Sequence, residues 1–216
     1  MNSQNSAFRH ADVLQPETTV HAGTMIANLL KQLDEQTDSE KMLVCAIDGR
    51  SASGKSTLAK AASVFFDNAM IIHLDDFFLQ PHQRTQQRLD QPGQNIDHER
   101  LRAELLEPLM NGKTGLYRKY DCKRNKMTEG FSVHPVRFLF LEGTYSLNDE
   151  LLDYSDLRIF TTCSPSRQRE RLIGRNGYST LEEFEKKWIP LEEYYFHICK
   201  VSERAQHIFV LDCPLT

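Results

Sequence analysis

Long apolar runs are missing from this 216-residue chain. No stretch approaches the roughly 20 consecutive apolar residues that span a bilayer, and the N-terminal sequence MNSQNSAFRHADVLQPETT lacks the apolar segment of a secretory leader. Membrane insertion is therefore not expected. An excess of positive charge is missing too: Lys and Arg total 26 against 30 Asp and Glu, a formal net charge of −4. No global positive field is available to hold nucleic acid, so none is expected as a partner. Cysteine is scarce and unpatterned. Cys45, Cys122, Cys163, Cys199 and Cys213 are odd in number and form no Cys-x-x-Cys pair, which speaks against a disulfide framework and a zinc cluster. The histidines likewise show no metal-ligand spacing, and His73, His98 and the others read as packing or surface residues. Reduced thiols without a leader point to the cytoplasm.

What is present is ordinary for a globular protein: 40% hydrophobic and 26% charged residues, enough for one sizeable core. The first 20 or so residues carry no sustained periodicity and are expected to fray. From His21, Met25, Ile26, Leu29, Leu30 and Leu33 recur at helical spacing, predicting an amphipathic outer helix. The chain thus divides into an N-terminal arm and outer helix, residues 1–40, and a main domain, residues 41–216. In the latter, five short apolar runs, at 42–47, 69–74, 136–141, 156–160 and 207–211, suit strands buried on both faces of a parallel sheet. Helical patterns at 56–66, 98–110, 167–173 and from Ser179 onward alternate with them, and the alternation predicts an α/β sandwich with right-handed crossovers. The last helix opens on the capping-box pattern Ser179-Thr180-Leu181-Glu182 and should be kinked or divided at Pro190. The polar stretch 80–94 reads as a long mobile excursion near a site.

The first run is followed at once by Gly49-Arg50-Ser51-Ala52-Ser53-Gly54-Lys55-Ser56-Thr57, which satisfies G-x-x-x-x-G-K-[ST]. Glycines let the backbone curl so that successive N–H groups point at phosphate oxygens, and the following helix turns its positive end to the same anion. Lys55 can then reach the β- and γ-phosphates, and Ser56 can ligate Mg²⁺.

Such a loop holds a triphosphate; the reaction is written elsewhere. The second run ends in Asp75-Asp76 and the third in Glu142, acids at the carboxyl ends of strands, where open parallel sheets bind ligands. One of the aspartates can take the proton of an acceptor hydroxyl while another holds metal-bound water, and Glu142 suits a Walker-B-like place at Mg²⁺. After the fourth run, Arg167, Arg169, Arg171 and Arg175 fall where helical spacing can gather guanidinium groups into a phosphate clamp, or simply into a solvated basic face.

Together, IDGRSASGKST, LDDFF, NIDHERL (95–101), YRKYDCKRNK (117–126) and FLFLEGTYSL (138–147) resemble the uridine kinase and phosphoribulokinase group of P-loop kinases, nicotinamide riboside kinases included. The likeness covers about residues 42–211. It implies a three-layer P-loop fold with a five-stranded parallel sheet of order 2-3-1-4-5 and a small lid at about 164–180. It also implies ATP and Mg²⁺, a small-molecule hydroxyl acceptor such as a nucleoside or other riboside, and a fold that admits homo-oligomers. Carried across by motif, it makes Asp75 the catalytic aspartate and a neighbour of the metal, with Asp76 less defined beside it. Asp97 becomes the holder of ribose hydroxyls, Glu142 the acid near the metal, and Tyr120 and Asp121 acceptor-site residues. Lys55, Arg167 and Arg171 stabilise charge on the transferring group.

One departure concerns the substrate. Where uridine kinases place a base-reading histidine, this chain has Asn125, amid Arg118, Lys119, Lys123, Arg124 and Lys126. Two alternatives thus stay open: a kinase for a non-nucleoside acceptor (sugar acid, sugar phosphate or pantothenate-like alcohol), and a regulatory P-loop ATPase with no small acceptor.

Overall fold

The computed structural model describes residues 11–214; the first half of the segment expected to fray, residues 1–10, lies outside the described residues, as do 215–216. The strands are β1 (Asp12–Leu14), β2 (Leu43–Gly49), β3 (Ala69–His73), β4 (Gly115–Tyr117), β5 (Tyr120–Asp121), β6 (Lys126–Met127), β7 (Phe131–Val133), β8 (Phe138–Glu142), β9 (Leu157–Thr162) and β10 (His207–Val210). The helices are α1 (Thr19–Glu35), α2 (Lys55–Ser63), α3 (Gln86–Leu89), α4 (His98–Leu101), α5 (Glu107–Met110), α6 (Asp149–Leu152), α7 (Pro165–Asn176), α8 (Tyr178–Glu183), α9 (Ile189–Ile198) and α10 (Val201–Arg204).

All five apolar runs become strands of one parallel sheet, but the sheet has six strands rather than five, in the order β3-β8-β2-β9-β10-β1. The full order differs from the expected 2-3-1-4-5 in that the five runs keep that sequence and an edge strand, drawn from the segment expected to fray, is added beside the fifth. Residues 12–14 pair in register with 207–209 of β10. Three residues are too few to show a period, and their only strand partner is near the other end of the chain.

The strands alternate cleanly between two cores. Leu43, Cys45, Ile47, Phe138 and Phe140 face α1 and α2, whose Ala22, Ile26, Leu30, Leu58 and Ala62 cover them. Val44, Ala46, Leu139 and Leu141 face the other way, against Leu101, Leu105, Leu109, Tyr195 and Phe196. Every residue of β2 is buried, as a central strand covered on both faces requires. Close packing of α1 on α2 depends on Gly23, where a Cβ would lie 2.6 Å from the Ala61 carbonyl carbon.

Two helices widen into a π turn just before a proline. Residues 102–106 precede Glu107-Pro108, and residues 184–188 precede Ile189-Pro190. A proline lacks the N–H of the ordinary helical bond and its ring crowds the carbonyl four residues back, which the wider turn accommodates. Pro190 thus divides the last helical pattern. The capping box expected at Ser179 does not form: α7 ends and α8 begins at Gly177 (φ 79°), with no side-chain cap. The excursion 80–94 is folded locally by its arginines. Arg84 donates to the Leu79 carbonyl at 2.9 Å, and Arg88 binds Glu99 at 2.8 and 3.0 Å and the Ile96 carbonyl at 3.0 Å.

Parallel register brings the carboxyl ends of β2, β3 and β8 to one level, with Ile47 and His73 both opposite Glu142. The loops that leave this edge carry the chemistry.

Candidate active site

Gly49 ends β2 at φ 143°, and a Cβ there would lie 2.1 Å from the Thr161 carbonyl oxygen of β9, so only glycine fits where the loop leaves the sheet. Residues 50–54 then curl over the start of α2, whose N-terminus has no side-chain cap. Its first N–H groups are left to the loop's interior, as an anion site requires. Ala52 adopts φ 58°, a left-handed conformation costly for a residue with a Cβ. Lys55 folds back over the loop, its Nζ donating to the carbonyls of Gly49 (2.8 Å) and Arg50 (3.0 Å) and to Thr144 Oγ1 (3.2 Å).

Beneath the loop lies Asp48, fully buried. It accepts the N–H groups of Gly49 (2.7 Å), Tyr145 (3.2 Å) and Leu147 (2.9 Å) and the Tyr195 hydroxyl (2.8 Å). Burial raises its pKa against the pull of these bonds and of Lys55. Asp48 ties together the loop, the turn after β8 and α9. In the sequence it stands between the first apolar run and the phosphate loop, where nothing singles it out.

A cavity of about 550 Å³ opens above this edge, within the usual range for small-molecule sites. Of the residues singled out from sequence, Ser51, Ala52, Gly54, Lys55, Ser56, Thr57, Asp75, Glu142 and Arg171 line it. Ser56 Oγ donates to Glu142 Oε1 at 3.0 Å, and His73 Nδ1 lies 2.5 Å from the same oxygen. The bond to Glu142 raises the His73 pKa, which brings into the site a histidine that spacing alone had assigned to packing. A hydroxyl beside a carboxylate is a hard-oxygen pair suited to Mg²⁺, and the loop with Lys55 suits a triphosphate.

Asp75 sits in the 3₁₀ turn Leu74–Phe77, with an exposed face toward the cavity and protein on its other sides. It accepts no hydrogen bond from another described residue. Enclosure raises its pKa and Glu142 adds to the rise, while Lys55 and Arg175 oppose it.

The remaining sequence-assigned residues lie off the cavity lining. Gly49 forms the loop's root, and Ser53 is buried with its Oγ 2.5 Å from Thr161 Oγ1. Asp76 is engaged by the Tyr117 hydroxyl (2.6 Å) and the Lys119 ammonium (2.9 Å). Asp97 is buried at the start of α4, capping the Arg100 N–H at 3.1 Å and pairing with its Nε at 3.3 Å. Tyr120 donates to Asn125 Oδ1 at 3.0 Å across the β5–β6 hairpin, and Asp121 caps its turn. Arg167 turns to Glu170 at 2.7 Å, whereas Arg171, one turn on, reaches the Ala52 carbonyl (3.2 Å) and that of Leu211 (2.7 Å). The structure thus separates two arginines that helical spacing had grouped. Arg175, the last of the arginine series, lines the wall as well. So do residues given no individual role from the sequence: Phe78, Thr144 and Tyr145, which stand inside the LDDFF and FLFLEGTYSL segments, and Glu192 and Trp188, which stand outside them, the rings of Phe78 and Trp188 lying 6.5 Å apart.

A strand, phosphate loop and helix on a parallel sheet, with acids at the ends of neighbouring strands, define a P-loop phosphotransferase acting on an alcohol group. No family model matches the chain. It is 35% identical over 146 residues to the uridine kinase of Lactococcus lactis subsp. cremoris, covering 63% of this chain and 70% of that one. It is 24% identical over 192 residues to the nicotinamide riboside kinase of Saccharomyces cerevisiae, covering 78% and 79%. Its fold matches the structure of a possible uridine kinase from Bacillus stearothermophilus with a TM-score of 0.61, at 20% identity, over 86% and 98% of the two chains. The chain belongs to the uridine kinase group of P-loop kinases. It is a small-molecule kinase, and among the described residues no helix is long and apolar enough to cross a membrane.

Proposed function

We propose that this kinase transfers the γ-phosphoryl group of Mg·ATP to a hydroxyl of a nucleoside, uridine- or cytidine-like, or of another riboside. The observation that carries this reading is the position of Asp75, a carboxylate with no hydrogen-bond donor among the described residues, in the same cavity as Lys55, Ser56 and Glu142. When bound, Mg·ATP supplies the phosphoryl group and a cation that neutralises its charge. Ser56 and Glu142 hold the cation. The loop N–H groups and the start of α2 hold the phosphates, and Lys55 neutralises the terminal one. Asp75 accepts the proton of the acceptor hydroxyl as its oxygen bonds to phosphorus and the bond to the ADP oxygen breaks. Its raised pKa makes it the better base for that task. Arg171 and Arg175 add positive charge from the lid side.

Support for a riboside acceptor comes from two sources. Both named relatives are kinases of ribosides by name. Phe78, three residues after Asp75, and Trp188 line the cavity with their ring centroids 6.5 Å apart, an aromatic wall suited to a planar base. The test is mass spectrometry of products formed from Mg·ATP and a panel of nucleosides, ribosides, sugar acids and pantothenate-like alcohols, with Lys55→Ala as blank. Phosphorylated ribosides are expected. Product from sugar acids alone would overturn the acceptor class, and ATP hydrolysis with no product would overturn acceptor transfer altogether.

A further inference from the structure

The phosphate loop is held from above by side chains that no motif announces. Glu192 of α9 is 5% exposed, forms part of the cavity wall and spends both carboxylate oxygens on Ser51. Oε2 accepts the Ser51 backbone N–H at 2.9 Å, and Oε1 accepts the Ser51 hydroxyl. The next residue, Glu193, grips Arg50 through two bonds of 2.5 and 2.8 Å. From α7, Gln168 donates to the Ser51 carbonyl at 2.9 Å.

Glu192 is thus an anion bound to a backbone N–H of an anion-binding loop. It lines the same cavity as Asp75, and both carboxylates draw on the positive charge of Lys55. Lys55 is the side chain suited to neutralise the terminal phosphate of the donor, and the backbone N–H groups at the start of α2 are suited to the inner ones. Burial pushes the Glu192 pKa up while Lys55 and the bonds from Ser51 pull it back, the balance of a charge held by its partners in a confined place.

We infer that Glu192 is a positioning residue of the phosphate loop that also sets the protein's discrimination between nucleoside triphosphate and diphosphate. It holds Ser51 in place, and its charge opposes a terminal phosphate while sparing the inner two. The carboxylate therefore levels a preference for ATP over ADP that Lys55 would otherwise make steep. This inference rests on the ATP-dependent reading above.

The test is calorimetric binding of a non-hydrolysable ATP analogue and of ADP, each with Mg²⁺, to the wild-type chain, Glu192→Gln and Ser51→Ala, with thermal melts to check folding. Glutamine keeps the shape and an acceptor for the Ser51 N–H but removes the charge. Glu192→Gln is expected to raise the analogue-to-ADP affinity ratio roughly tenfold, the scale of one like-charge contact at a protein surface. Ser51→Ala removes one of the two bonds that hold the carboxylate, and a rise of roughly twofold to threefold is expected. An unchanged or lower ratio in Glu192→Gln overturns the inference, as does equal loosening of both ligands. If that variant shows no cooperative melt, an unchanged ratio in Ser51→Ala overturns it instead. Failure of the wild-type chain to bind either nucleotide overturns the ATP-dependent reading and this inference with it.

Discussion

The two halves of the cavity are built by different means. On the donor side, one contiguous stretch of nine residues, Gly49–Thr57, makes the cradle chiefly with its own backbone. Buried partners such as Asp48, Glu192 and Thr161 lock that backbone in place. On the side proposed for the acceptor, Asp75, Phe78, Tyr145 and Trp188 come from three separate segments, and the nearby hairpin and excursion are held by arginines and short turns. Recognition by backbone demands particular residues at particular spacings, because only glycine and small side chains let the chain curl. Recognition by side chains can be met by many combinations from distant positions. The donor side is accordingly written in the chain as one contiguous motif, whereas the residues proposed for the acceptor side are scattered, Asp75 and Phe78 in LDDFF, Tyr145 in FLFLEGTYSL and Trp188 outside both.

Three substitutions sharpen or break this contrast. The largest effect is expected from Asp75→Asn, which should lower turnover by roughly 10²–10⁴-fold, the usual worth of a positioned base, while leaving binding of an ATP analogue within a few-fold. Because the folded protein raises the Asp75 pKa, its ionised form at neutral pH costs stability, and that cost grows as pH rises through the raised pKa. Asn removes the cost, so the Tm should rise as activity falls. A variant with near-normal turnover would show that proton removal lies elsewhere, and a variant that loses ATP binding would show that the two sides are not separable.

The second tests the layer under the acceptor side. His98 is buried, bonded through Nε2 to Asn148 at 2.6 Å, and its pKa is pushed down to about 4 from 6.5 by burial. Between those values the unfolded chain takes up a proton that the folded chain refuses, so stability falls as pH drops through 6.5 toward 4. The full span corresponds to about 3 kcal/mol. Urea unfolding at pH 7 and pH 4.5 should show this loss, and His98→Gln should flatten it. A slope unchanged by the substitution would assign acid sensitivity to another group.

The smallest effect belongs to the donor side. Ala52→Gly relieves a left-handed residue in the loop, at φ 58°, and should raise stability by about 1 kcal/mol, less whatever glycine adds to the freedom of the unfolded chain. A fall in Tm would mean that the side chain at position 52 earns its place by packing rather than merely tolerating its conformation.

The same contrast explains what the sequence made legible. Five strands were visible because each is a compact apolar run flanked by turns, and the phosphate loop because it is contiguous. Asp48 and Glu192 escaped because their significance lies in contacts with residues about 100 and 141 positions away in the chain, and acids at such positions read as ordinary. Arg167 and Arg171 share a helix face in projection, yet a glutamate three residues on diverts one while loop carbonyls take the other. Asp97 carries a motif match, but the structure spends both of its oxygens on Arg100. In each case spacing determines proximity, and competition among neighbours determines what a side chain touches.

The edge strand β1 bears on how the molecule comes to be made. Its hydrogen-bonding partner in the sheet is β10, and the hydroxyl of Thr19, just beyond it, donates to the Pro214 carbonyl 195 residues away. Until residues 207–210 have left the ribosome, Asp12–Leu14 has no strand to join in this sheet, so the earliest of the described strands is among the last to be seated. The closure of that large loop is a late and entropically demanding contact, and a nascent chain must carry Asp12–Leu14 unpaired while the residues between it and β10 are made.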